Sequence, residues 1–203
     1  HYLKVTGDNA ILDEQVSFIE GQRLEPGAHD AFFQPTQSDE TANLYEHCAR
    51  ALDLSLPAGA HGLPLMGTGD WNDGMNRVGE AGFGESVWLG WFLLATLKAF
   101  IPVAEQRGDQ VRAAAWQKRL TGLSEALERE AWDGEWYRRG FFDVGSPLGS
   151  AQSEECKIDA IAQSWSVISG GASKERGLTA MGNSWNKLVR PEDRLALLFT
   201  PPF

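Results

Sequence analysis

Two cysteines in 203 residues, Cys48 and Cys156, leave little for sulfur chemistry. Neither sits in a Cys-x-x-Cys pair, so a zinc site has no ligand set to draw on. Far apart in sequence, they read as buried thiols of a reducing compartment, with a single disulfide as the alternative. Basic charge is scarce as well: 18 Lys and Arg against 28 Asp and Glu give a formal net charge of −10. That balance makes a phosphate backbone an unfavourable partner and sets nucleic acid aside. Runs of strict apolar–polar alternation are short and few, which argues against a β architecture. No charged region followed by an apolar stretch and a small-residue cleavage site is visible, so no signal peptide is expected. His1 stands where an initiator Met would, and Leu198-Phe199-Thr200-Pro201-Pro202-Phe203 ends without a polar tail, so the chain reads as a piece cut at both ends from a larger polypeptide. A membrane span needs roughly 20 apolar residues. The one long apolar run, from Val87, approaches that length only by tolerating Lys98 and Pro102, and its flanks Glu80, Glu85 and Glu105 carry no positive bias, so no membrane contact by this segment is expected.

What is present is a globular composition, 42% apolar and 23% charged, long enough to bury a sizeable core. Eight Trp, three Tyr and ten Phe on an acidic chain suit a neutral ligand held by ring stacking and carboxylate hydrogen bonds, as a sugar is, although any single Trp is as readily a core residue. Helical periodicity dominates. From Ser38 to Leu54 the stripe is Leu44, Tyr45, Cys48, Ala51 and Leu52, stopped by Pro57 and Gly59. From Ser86 to Ala104 the chain is apolar on every side, which predicts a helix buried all round. From Asp109 to Trp132, Val111, Ala115, Leu120, Leu123 and Leu127 alternate with charges, which predicts a helix with one wet face. Ile158, Ile161, Ala162, Trp165 and Ile168 mark another inner helix. Ser173 caps the next, with Leu178, Met181, Trp185 and Leu188 as its stripe, and Pro191 opens a short last one. Inner and outer helices in alternation predict an all-α fold, two concentric layers of an (α/α) toroid.

Two long loops interrupt this order, 57–85 and 132–155, and long loops inside compact domains are more often functional than idle. The first reads His61-Gly62-Leu63-Pro64-Leu65-Met66-Gly67-Thr68-Gly69-Asp70-Trp71-Asn72-Asp73-Gly74-Met75-Asn76-Arg77-Val78-Gly79-Glu80. Asp70, Asn72 and Gly74 imitate the start of a calcium loop, but counting from Asp70 puts Gly74 fifth instead of sixth and Ala81 where the closing Glu belongs, so the register fails and no metal is expected. Cleaving a glycosidic bond needs one carboxylic acid that stays protonated beside neighbours that stay charged. Asp70 and Asp73, flanking Trp71, offer that split; spacing alone leaves open which of them is the acid, and also whether both merely cap turns.

The segment from Gly62 to Glu80, followed by Gly84-Glu85-Ser86-Val87-Trp88-Leu89-Gly90-Trp91-Phe92, resembles glycoside hydrolase family 94. Within that family the chain most resembles the phosphorylase domain of cyclic β-1,2-glucan synthases. Leu44-Tyr45-Glu46-His47-Cys48-Ala49-Arg50-Ala51-Leu52, Trp132-Asp133-Gly134-Glu135-Trp136-Tyr137-Arg138-Arg139, Ile158-Asp159-Ala160-Ile161-Ala162-Gln163-Ser164-Trp165 and the terminal Leu198 to Phe203 extend the likeness along nearly the whole chain. The resemblance implies an (α/α)6 barrel of the six-hairpin glycosidase type, of which residues 1–203 are one part. It implies an inverting phosphorylase that transfers a β-linked glucosyl unit to inorganic phosphate as co-substrate, releasing α-glucose 1-phosphate with no other cofactor. It assigns the general acid to Asp73 and a wall of the sugar subsite to Trp71, with Asp70 as a supporting carboxylate. Gln163 and Trp165, on the helix read as inner, would face sugar hydroxyls or simply the core. The partner is then a β-glucan oligosaccharide or polysaccharide, and the location the cytoplasmic face of the inner membrane.

The pattern is incomplete. The Arg-rich, Asp-containing segment and the His-containing glycine-rich segment through which the family holds phosphate and glucose are missing, so the phosphate ligands are unknown. Arg77, Arg138 and Arg139 are candidates whose ordinary role is solvated or structural charge. His47 beside Glu46 is an ordinary helix histidine. Two further functions stay open: a non-catalytic glucan-binding module, which needs the Trp residues but no acid, and an inverting hydrolase, which needs a second carboxylate such as Glu46, Glu80 or Glu85 to activate water.

Overall fold

A computed structural model describes residues 1–25 and 30–203, with side chains at all of these except Asp73. The chain divides into two compact units, His1–Ser55 and Leu56–Phe203.

The first unit opens with helix α1 (Tyr2–Thr6), closed by Gly7 in the left-handed region, and a 310 turn (Ala10–Asp13). Strands β1 (Gln15–Glu20) and β2 (Thr36–Asn43) then pair antiparallel, and helix α2 (Leu44–Leu54) follows directly. Residues 38–43, expected as the first turns of a helix, are therefore strand. Asn43 sets the true start, because its side chain accepts the backbone N–H of Glu46. The face that α2 buries is Tyr45, Ala49 and Leu52, while Cys48 and Ala51 are exposed. The expected stripe was shifted by one residue, and with it the expected burial of the Cys48 thiol is corrected. Both cysteines are free, which removes the disulfide alternative. His47 stacks on Phe18 at 3.8 Å between ring centroids and hydrogen-bonds to the Val16 carbonyl, so its role is to hold α2 to the hairpin.

The second unit is built on helix α3 (Val87–Gln106), which packs on α4 (Gln110–Ala126) and on α5 (Ala160–Ile168); α5 packs in turn on α6 (Lys174–Leu188). Four caps start these helices: Ser86, Asp109, Asp159 and Ser173 each accept a backbone N–H from the first turn. A π turn (Leu127–Ala131) ends α4. Short antiparallel pairs tie the loops: β3 (Glu85–Ser86), β4 (Gly140–Phe141) and β5 (Pro147–Leu148) form one small sheet, β6 (Ile158–Asp159) pairs with β9 (Phe199–Thr200), and β7 (Val189–Arg190) with β8 (Leu195–Ala196). Pro191 starts the turn of that last hairpin and not a helix, since the pairing of Val189 with Ala196 closes around it.

Helix α3 buries Val87, Trp91, Leu94, Leu97 and Ile101 but leaves Phe92 and Lys98 exposed, so it is buried on most sides and not on all. Among the described residues it is the one helix long and apolar enough to cross a membrane, a property of length and composition; 44% of its apolar window is buried within the fold. On α4 the inward residues are Ala113, Trp116 and Leu123, while Val111 and Ala115, expected in the stripe, face out. On α6 they are Gly177, Ala180, Ser184 and Leu188, and the expected stripe of Leu178, Met181 and Trp185 is exposed.

Candidate active site

The loop before α3 is fastened at three points. At its start, the buried Glu85 carboxylate accepts the backbone N–H groups of His61 and Leu63 and pairs with the His61 ring at 2.5 Å. At its end, the Asp143 carboxylate accepts the N–H groups of Ala81, Phe83 and Gly84, which hold it below the usual carboxylate range although burial acts against them. Gly84 lies so close to the Val78 carbonyl that a Cβ there has no room. With both oxygens occupied by backbone and imidazole, Glu85 is a structural anchor and has no freedom to activate water.

The third point is at the centre. Arg139, at 0% exposure, grips Asp70 with both ends of its guanidinium, Nη1 to Oδ2 and Nη2 to Oδ1 at 2.7 Å each. Ser86 Oγ donates to Asp70 Oδ2 at 2.7 Å while accepting the N–H of Leu89 as the cap of α3. Arg139 Nε lies 3.5 Å from Asp159 Oδ2, and Asp159 caps α5. Burial pushes the Asp70 carboxyl up, but the ion pair and hydrogen bonds from Arg139, with those of Ser86 and Asn72, outweigh it and leave the carboxyl below its ordinary range. Burial also acts on Asp159, where the attraction of Arg139 is weaker, and its carboxyl rises to about 6. Arg139, a sequence candidate for phosphate, is thus shut away from solvent with both terminal nitrogens committed to Asp70. Arg138 bonds Asp133 and the Glu130 carbonyl.

Asp70 Oδ1 also accepts the N–H of Asn72, and Asn72 Oδ1 accepts the N–H of Gly74, so two consecutive side-chain turns carry the backbone through Asp73. Asp73 opens a three-residue 310 turn, Asp73–Met75; where its side chain lies is outside the described residues. Met75 and Val78 seat this turn on a buried cluster with Met66, Leu148 and Cys156. Burial pushes the Cys156 thiol to about 12, so it serves there as an apolar filler.

Trp71 is 49% exposed and meets Trp88 edge-on at 6.4 Å. Trp88 stacks with Phe92 at 5.6 Å, and Trp165 stands edge-on to both at 6.1 and 5.3 Å. Two sequence-predicted residues, Trp71 and Trp165, therefore belong to one four-ring cluster, and Trp88 and Phe92 join it unforeseen. The shielded Nε1 of Trp88 has no hydrogen-bond partner among the described residues. Gln163 is completely buried: its Oε1 accepts from Tyr137 N, and its Nε2 donates to the carbonyls of Tyr137 and Asp159. The amide fastens the second long loop to α5, with both its hydrogens already used.

The chain is 58% identical over 203 residues to the cyclic β-(1,2)-glucan synthase NdvB of Rhizobium meliloti (strain 1021), covering 100% of this chain and 7% of that protein. It is 39% identical over 175 residues to the 3-O-β-D-glucopyranosyl-β-D-glucuronide phosphorylase of Paenibacillus borealis, covering 86% and 20%, and 34% identical over 207 residues to the solabiose phosphorylase of the same organism, covering 100% and 24%. The chain thus spans less than a quarter of the length of each of these relatives. A family 78 rhamnosidase of Bacillus sp. GL1 shares the fold over 71% of this chain and 15% of its own, with a TM-score of 0.55 at 18% identity. The family model for the glycosyl hydrolase 94 superfamily catalytic domain matches residues 1–203, and the chain belongs to that superfamily.

Proposed function

We propose that the chain is part of the catalytic domain of an inverting glycoside phosphorylase acting on β-linked glucan within a cyclic β-1,2-glucan synthase-like protein at the cytoplasmic face of the membrane. The pairs α3/α4 and α5/α6 are two inner–outer units of an (α/α)6 barrel completed by chain beyond these residues. The observation that carries the chemistry is the Asp70–Arg139 pair: of the two carboxylates flanking Trp71, Asp70 is held charged by a buried guanidinium and is no proton donor, which supports the family resemblance in assigning that task to Asp73. Asp73 protonates the departing glycosidic oxygen as an oxygen of inorganic phosphate bonds to the anomeric carbon from the opposite face. Phosphate is already an anion and needs no base, so one acid suffices. Trp71 and Trp165 offer ring faces to the sugar; Asp70 and Gln163 support the site by holding loop and helix in place. Inorganic phosphate is the co-substrate, β-glucan the partner, and the phosphate ligands lie outside this chain.

The test uses the full-length polypeptide. With β-1,2-glucan it should release glucose 1-phosphate only when phosphate is supplied, and Asp73→Asn should abolish the release. Free glucose formed without phosphate would point to hydrolysis. Glucan binding with no turnover in the parent would point to a binding module.

A further inference from the structure

Resting on this functional reading, we propose that Arg139 is the positioning residue of the acid-bearing loop, acting on Asp73 through Asp70 and the backbone of Asn72. The guanidinium holds both oxygens of Asp70 at 2.7 Å, and Asp70 Oδ1 holds the Asn72 N–H at 3.2 Å, one residue before the acid. Asn72 then fixes the following turn through Gly74 N and Met75 N. The polar contacts run from Arg139 through Asp70 to Asn72 and on to Gly74 and Met75, so they fix the backbone on both sides of Asp73, and their first member is closed to water.

The same guanidinium stands at the junction of the elements that carry the aromatic cluster. Ser86, on which Asp70 also leans, caps α3, the helix of Trp88 and Phe92; Asp159, beside Arg139 Nε, caps α5, the helix of Trp165. One planar cation thereby sets the acid's turn against both helices. Lysine, a point charge without the fork, keeps the charge but cannot hold two oxygens of Asp70 in one plane. A proton donor displaced by about 1 Å loses on the order of a hundredfold in rate.

The experiment measures phosphorolysis of β-1,2-glucan by the full-length polypeptide and its Arg139→Lys variant, each scaled to its folded fraction. The expected result is a kcat at least tenfold lower, with KM for phosphate within twofold of the parent. The alkaline limb of the pH–kcat profile should also move, because loosening the turn changes the surroundings on which the acid's proton affinity depends. A merely structural role would lower the amount of folded enzyme and leave the limb in place. A fall of less than tenfold, or an unmoved limb, overturns the proposal. Asp70→Asn, which keeps shape and one acceptor oxygen, is measured alongside and should show the same two changes, so the prediction stands even where Arg139→Lys does not fold. If the parent itself makes no glucose 1-phosphate, the functional reading falls; if the parent is active and both variants match it, only the positioning role does.

Discussion

Within the Asp70–Arg139–Asp159 cluster two carboxylates share one guanidinium unequally, and the geometry divides their chemistry. Asp70, held face to face, is charged; Asp159, at 3.5 Å from a nitrogen not aligned for a hydrogen bond, rises to about 6. The raised value means that the folded state takes up a proton that the unfolded state, near 3.8, has already released. Asp159 therefore makes stability fall as pH rises from about 4 to about 6, while Asp70 contributes stability that is present above the ordinary carboxylate range and lost only on further acidification. Roughly two units at about 1.4 kcal/mol each put the Asp159 effect on the order of 3 kcal/mol. Chemical denaturation of the parent and of Asp159→Asn at pH 4 and pH 7 checks it: the variant should gain on the parent as pH rises, and equal slopes would contradict the assignment. None of this was legible from spacing. The Asp-Trp-Asn-Asp motif marks the loop, but Arg139 is some seventy residues on, and nothing local to Arg138-Arg139 says which of the two is buried.

At the scale of elements, sequence periodicity found α3, α4, α5 and α6, with Ser173 as the cap of the last, and misjudged which faces they bury. Helix α6 shows why. Its large apolar side chains Leu178 and Trp185 are 66% and 64% exposed, and the face it buries carries the small residues Gly177, Ala180 and Ser184, with Val167 of α5 against Gly177. A hydrophobic stripe locates a helix; close approach depends on the neighbour, which the helix's own sequence does not contain. Leu178→Gln and Trp185→Gln should each change the stability of this chain by no more than about 0.5 kcal/mol. Leu188→Ala, at 2% exposure, should cost about 2–5 kcal/mol in the same denaturant titration. The reverse order would show that the outer stripe is the packed one. Strands β1 and β2 escaped notice for a related reason: β2 is mostly exposed on both faces and so carries no alternation to detect.

For the whole molecule, the family was legible because its motif lies in one uninterrupted loop, with the acid, the ring beside it and the glycines that shape it all within a few residues. What surrounds the motif was not, since Glu85, Arg139 and Asp143 reach it from outside. Displacement by phosphate, assisted by a single acid at position 73, would invert the anomeric centre. Proton and phosphorus NMR of the first sugar phosphate formed from β-1,2-glucan by the full-length polypeptide reads that centre directly. The expected product is α-glucose 1-phosphate, absent in Asp73→Asn; a β-phosphate, or the same α product from the variant at the parent's rate, would contradict a phosphate displacement assisted by Asp73.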